Sequence, residues 1–181
     1  LLSRARQGEK KAIAELYRCH VDVIYRYVYA RVRDVMVAED LTAQVFVKAL
    51  EGLADYEPSE TPFLAWLYRI AYARTVDHWR RHARRQEVPL EEHLPTDGPL
   101  IKDEDDPEAR WATAIDLLAQ LTEDQQNVMI LRFLGEMSLS DTAAVLGKTV
   151  GAVKAIQHRA LASLARLLEQ RNTWYPDERR I

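Results

Sequence analysis

The stretch "SLSDTAAVLGKTVGAVKAIQHRALASLARLL", Ser138 to Leu168, reads as two helices joined by a tight turn, the second long and basic on its outer face. Ser138 or Ser140 is placed to cap the first helix, Asp141 falls in its first turn, and Gly147 stops it, because glycine adopts the left-handed backbone cheaply. Thr149 is the natural cap of the second. There Val153, Ile156, Ala160, Leu161, Leu164, Leu167 and Leu168 recur at spacings of three and four, which is a helical stripe. At about 100° per residue, Gly151, Lys154, Ala155, His158 and Arg159 then fall on or beside the opposite side, with Gln157 at the edge. A short glycine-containing turn between two such helices is the helix-turn-helix pattern, whose second helix enters the major groove by its N-terminal part. Small residues at Gly151, Ala152 and Ala155, flanked by Lys148, Lys154 and Arg159, suit close approach to a polyanion. An ordinary helical hairpin with solvated charges is the competing reading of the same residues.

Composition sets the frame around this unit. The 181 residues are 48% hydrophobic and 29% charged, with seven prolines and six glycines, which suits one or two small soluble domains. No stretch approaches the ~18 apolar residues of a membrane span, and no signal peptide opens the chain, so the expected compartment is the cytoplasm. A lone cysteine, Cys19, leaves no internal disulfide, and no Cys/His spacing suggests a metal. The net charge of −3 is unevenly distributed: residues 1–85 carry net +4, residues 86–108 net −8 and residues 109–181 net +1. Two mildly basic blocks thus flank an acidic connector.

Residues 1–33 have helical spacing over two helices, with Ile13, Leu16, Tyr17, Val21, Ile24, Tyr25 and Val28 as core. After a break near Asp34 to Val37, Ala38 to Leu50 forms an amphipathic helix with Leu41, Val45, Phe46 and Leu50 on one face and Glu39, Asp40, Gln44 and Lys48 on or near the other. Thr61-Pro62 reads as cap plus first-position proline of a long helix to about Arg85. The second half of that helix gathers Arg74, Arg80, Arg81, Arg84 and Arg85 with His78 and His82 against one acid, Asp77. Cationic residues favour a helix C-terminus, but five arginines exceed what capping requires, and phosphate contact explains the surplus.

Residues 86–108 hold four prolines and nine acids and read as a linker without a core of its own. Extended, those 23 residues reach roughly 75 Å; as a coil they span ~26 Å. Sites one to two duplex turns apart, about 35 to 70 Å, are bridged only if the linker is extended. Asp106-Pro107 restarts helix over Ala109 to Leu121, and Thr122 with Gln125 is a capping box for a helix from Glu123 to Leu134, ended by Gly135. Residues 171–181 read as a tail.

Three stretches in this order, "AEDLTAQVFVKAL" (38–50), "PFLAWLYRIAYARTVDHWRR" (62–81) and "LTEDQQNVMILRFLGEMSLSDTAAVLGKTVGAVKAIQHRAL" (121–161), resemble the extracytoplasmic-function (ECF) class of the sigma-70 family. The resemblance covers almost the whole chain. It implies an all-α protein of two small helical domains: a sigma-2-like bundle over 1–85 and a sigma-4-like helix-turn-helix domain over 109–170, joined by the acidic linker 86–108 and followed by the tail. It implies core RNA polymerase and promoter DNA as partners, an anti-sigma factor as regulator, and neither catalysis nor a cofactor. By the same resemblance, Asp40, Gln44, Val45 and Lys48 dock on the polymerase clamp. Tyr56, Thr61, Phe63, Arg69, Tyr72, Ala73, Arg74, His78 and Arg81 hold the unwound minus-ten strand. Lys148, Thr149, Gly151, Lys154, Ala155, His158 and Arg159 read the minus-thirty-five element. Departures from the family pattern are Ala73, where asparagine is common, Ala43 and Gln44, where a Gln-acid pair is frequent, and Thr142, where isoleucine is usual. The alternative function is a self-sufficient helix-turn-helix regulator binding a palindrome as a dimer.

Overall fold

The computed structural model describes residues 1–58, 61–85 and 107–174, and among these the chain is helical with no strand. In order come α1 (Leu2–Arg6), α2 (Lys10–Val32), α3 (Val35–Gly52), α4 (Phe63–Arg85), α5 (Pro107–Ala119), α6 (Glu123–Met129), α7 (Leu139–Leu146) and α8 (Val150–Trp174). Most of the expected linker, residues 86–106, lies outside the described residues, as do the cap expected at Asp106 and the last seven positions of the tail.

Helices α2, α3 and α4 pack on one another, with Ile24, Val28, Val45, Leu67 and Ala71 fully covered. Each such large aliphatic side chain contributes about 1.5–3 kcal/mol through its burial. Tyr27 and Tyr68 meet edge to face at 5.3 Å in the same core. Burial raises the pKa of both phenols, that of Tyr68 to about 12. The break between α2 and α3 is shorter than expected: Asp34 accepts from the Val37 amide at 2.8 Å, so α3 starts at Val35. Thr61 does not cap α4. Pro62 supplies the first acceptor, bonded by the Trp66 amide at 3.0 Å, while the Thr61 carbonyl accepts from the Tyr56 hydroxyl.

The C-terminal helices form the second unit. The capping box at Thr122 is present, with the Thr122 amide bonded to Gln125 Oε1 at 3.3 Å. The helix that follows is not uniform: after Met129 it continues as a π turn, Ile130–Leu134, closed by the Gly135 amide on the Ile130 carbonyl at 2.9 Å. Ser138, rather than Ser140, caps α7, accepting from the Asp141 amide at 3.0 Å, and Gly147 ends it in the left-handed region at φ 62°. Thr149 Oγ1 accepts from the Ala152 amide at 3.2 Å.

The two units are packed together. α7 lies on α4, α2 meets α5 and the π turn, and one continuous cluster of buried apolar residues runs from Ile24 to Ala160. Gly135 marks a close point, since a Cβ there would stand 3.0 Å from the Tyr68 ring and 2.8 Å from the Leu131 carbonyl. Polar contacts follow the same seam. The Arg31 guanidinium, 3% exposed, donates to Gln126 Oε1 and lies 3.4 Å from Glu123; Arg33 pairs with Asp116; and Arg26 stands 5.9 Å from the centre of the Trp111 ring. Stranding a buried charge costs about 3–5 kcal/mol, whereas exposed pairs such as Lys48–Glu51 contribute about 0–1 kcal/mol. Arg31 is therefore the pivotal charge of the seam.

Candidate nucleic-acid interface

Helix α8 turns its stripe inward only in its first half. Val153, Ile156 and Ala160 are buried, which forces Gly151, Lys154, Ala155, His158 and Arg159 outward, and all five are exposed. Beyond Ala160 the stripe outruns its neighbours, so Leu161 and Leu168, expected in the core, are 44% and 45% exposed. Lys148 is half-buried and bonds Asp124 at 3.0 Å, which holds its charge at the entrance to α8. Thr149 is exposed at the cap. These seven residues thus form one continuous surface at the start of α8, with small side chains at its centre and cations at its edges. Thr142 is fully buried; its hydroxyl donates to the Ser138 carbonyl at 2.8 Å, satisfying a polar group in an otherwise apolar position.

A second surface lies along α4. Arg69, Ala73 and Arg81 are exposed, and Tyr72, Arg74 and His78 are half-buried on the same helix. Tyr56 differs from the other residues expected there: at 5% exposure its ring is packed 4.8 Å from Trp66 and 5.6 Å from Phe63. Its contribution is to brace the loop into α4, with Phe63 and Thr61 half-buried beside it. Two aromatic groups not singled out from the sequence stand at this surface instead. Trp79 is 43% exposed, and His82 lies 5.6 Å from His78 between ring centres.

Between α3 and α4 is a polar hollow lined by Asp40, Gln44, Arg74, His78, Arg81 and His82. The Gln44 amide donates to Asp40 at 2.7 Å across its rim. The hollow brings together residues expected to touch polymerase and residues expected to touch DNA, so the two surfaces are neighbours. Burial, helped by the cationic His82 and Arg81, lowers the His78 pKa below the ordinary histidine value against the opposing pull of Asp34 and Asp40.

The outer face of α3 carries Asp40 and Lys48, both exposed, with Lys48 bonded to Glu51 at 3.0 Å. Val45, expected among the partner-facing residues, has no exposed surface: it sits on the inner face of α3, one turn after Leu41. What α3 does expose is apolar. Val35, Met36, Val47 and Leu50 are 53%, 80%, 58% and 50% exposed, and Tyr17 of α2, expected in the core, is 45% exposed beside them. Leu50 was expected inside, but Ala49 takes that place. Apolar exposure of this extent on one helix marks a protein-binding face. The single signal in the sequence was Val47, which lies off the apolar stripe.

Two family models match the chain, sigma-70 region 2 over residues 16–85 and sigma-70 region 4 over residues 117–166. The chain belongs to the sigma-70 family, in its ECF class of sigma factors. Among curated proteins it is 38% identical over 170 residues to the ECF RNA polymerase sigma factor BldN of Streptomyces coelicolor, covering 93% of this chain and 64% of that protein. It is 33% identical over 173 residues to the ECF RNA polymerase sigma factor SigD of Mycobacterium tuberculosis, covering 91% and 80% respectively. Among solved structures, CnrH in complex with the cytosolic domain of CnrY superposes with a TM-score of 0.70 at 26% identity, covering 93% of this sigma factor and 95% of that chain. Region 2 of the sigma factor thus contains the polar hollow and the apolar face of α3; region 4 contains the helix-turn-helix. Among the described residues no group of His, Cys, Asp and Glu is arranged to hold a metal, and no helix is long and apolar enough to cross a membrane.

Proposed function

We propose that this sigma factor directs core RNA polymerase to promoters and helps open them, without catalysing a reaction of its own, and that it works in the cytoplasm. The observation that carries this reading is the surface at the start of α8: Gly151 and Ala155 leave room for a groove floor while Lys148, Lys154, His158 and Arg159 meet phosphates or base edges around it. We assign this surface to the minus-thirty-five element, within a domain spanning 109–170.

The α4 surface, in a domain spanning 1–85, takes the unwound minus-ten strand. Arg69, Arg74, His78 and Arg81 supply charge, and Tyr72 with Trp79 supplies ring faces; stacking contributes about 1–3 kcal/mol per base. The exposed apolar residues of α3, with Asp40, Gln44 and Lys48 around them, dock on the polymerase clamp, and Val45 acts from behind by fixing the helix. An anti-sigma protein covering this face is the regulator expected from the family, and the relative CnrH is itself seen in complex with CnrY. Residues 86–108 connect the two domains and 171–181 form the tail.

In vitro transcription from a promoter library, with core polymerase and with the sigma factor added or omitted, tests the proposal. Specific start sites sharing two upstream elements are expected on addition. Duplex binding by the protein alone, with no gain in initiation, would instead favour the dimeric regulator.

A further inference from the structure

Three arginines on the C-terminal part of α2 reach across to the second unit: Arg26 to the Trp111 ring, Arg31 to Gln126 and Glu123, and Arg33 to Asp116. Arg33 does so from a left-handed backbone, φ 57°, a conformation that costs a non-glycine residue roughly 1–2 kcal/mol relative to helix. Gln126 returns a bond of 3.5 Å to the Ala30 carbonyl. The seam is thus built from complementary charge, cationic on region 2 and acidic or amidic opposite, laid beside the apolar contact of α4 with α7. Such a seam parts at low cost, because Arg31, Glu123 and Asp116 recover their hydration when it opens, unlike a wholly apolar core.

The geometry of this packing conflicts with promoter binding. α7 lies directly on α4 and α8 lies on α7, so the two reading surfaces are about two helix packings, ~20 Å, apart. Even one turn of duplex between two elements is about 35 Å. Resting on the sigma reading above, we propose that the packed arrangement is a self-held closed state of the free protein. In it the arginine row of α2 clasps α5 and α6, and the clasp must release before both promoter elements are engaged. The clasp makes the unloaded protein a poor promoter binder without any second protein, and gives polymerase loading an intramolecular contact to break.

Charge reversal across the exposed pair tests this in the full chain. Arg33→Asp and Asp116→Arg each place like charges together, and the double variant restores an opposite pair with the charges exchanged. A dye on the exposed native Cys19 and a second on Ala162→Cys, exposed on α8, report the distance between the units. The expected result is one short-distance population for the parent, a shift of roughly fivefold toward long distances in each single variant, and return to the short population in the double variant. Adding core polymerase with promoter DNA moves the parent to the long distance, and the single variants assemble active holoenzyme faster than the parent. A free parent already at long or broad distances overturns the clasp, as do single variants that stay closed. Transcription separates the two readings: initiation by a parent that is open when free removes the clasp alone, whereas no initiation with core polymerase removes the sigma reading.

Discussion

Gly151→Ala separates stability from reading because its two effects have opposite signs. Gly151 is the second residue of α8, its backbone is helical, and no heavy atom lies within 4 Å of where a Cβ would stand. In the free protein the added methyl therefore meets nothing, and replacing glycine in a helix stabilises by about 0.5–1 kcal/mol. For a chain of this length that raises Tm by ~1–4 °C. On the promoter the same methyl stands at the centre of the reading surface, between Lys148 and Lys154, where close approach leaves little room. Overpacking of a close contact costs about 1–3 kcal/mol, which is roughly 5- to 150-fold in affinity. Thermal unfolding of the free protein gives the first quantity. Initiation by the reconstituted holoenzyme gives the second, compared between a promoter with its minus-thirty-five element and one with that element scrambled. Expected are a higher Tm, weaker initiation at the intact promoter and no change at the scrambled one. A raised Tm with unchanged initiation at both would show that DNA does not approach Gly151, and a lowered Tm would contradict the open space around it.

Other perturbations address the remaining surfaces. Lys154→Ala should lose about 1–3 kcal/mol of promoter affinity and relax preference at one position if it contacts a base edge, or weaken all sequences alike if it meets a phosphate; competition with single-base promoter variants distinguishes these, and no effect on any promoter removes Lys154 from the surface. Val47→Lys changes an exposed residue of α3, so Tm should stay within ~2 °C while affinity for core polymerase falls at least tenfold in a binding titration. His78 titrates below its unfolded value of about 6.5, so the unfolded chain takes up the proton first. Stability should therefore be complete above pH ~6.5 and decline as pH falls through that value toward the folded pKa. His78→Gln should flatten the decline in thermal melts between pH 5 and 7, and an unchanged slope would assign it to other groups.

The ends of the helices were largely legible in the sequence because capping is local chemistry. Ser138, Gly147 and Thr149 each act within three or four residues of themselves, as does the Thr122–Gln125 pair. The exposed members of the apolar stripes were not legible, since periodicity names the side of a helix and not where its neighbour ends. Leu161 and Leu168 outrun the helices beneath α8; Tyr17 and Leu50 face outward at the groove between α2 and α3. A residue reserved for a partner looks, in sequence, like one reserved for the core. Tyr56 and Val45 failed in the other direction, for a resemblance assigns a role to a position without saying whether its side chain is reachable. The seam was invisible for a third reason. Arg31 and Gln126 are 95 residues apart, and neither is unusual in its own helix.

The π turn at Ile130–Leu134 makes orientation a matter of counting. A helix advances about 100° per residue, so deleting one position there, with the helix rejoined in ordinary register, would rotate everything downstream by roughly that angle about the α6 axis. Gly135 would swing away from Tyr68, and the start of α8 would face a different compass bearing with every one of its own residues unchanged. The number of residues in this turn sets where the reading helix points, as the phase of a screw thread sets where its slot comes to rest.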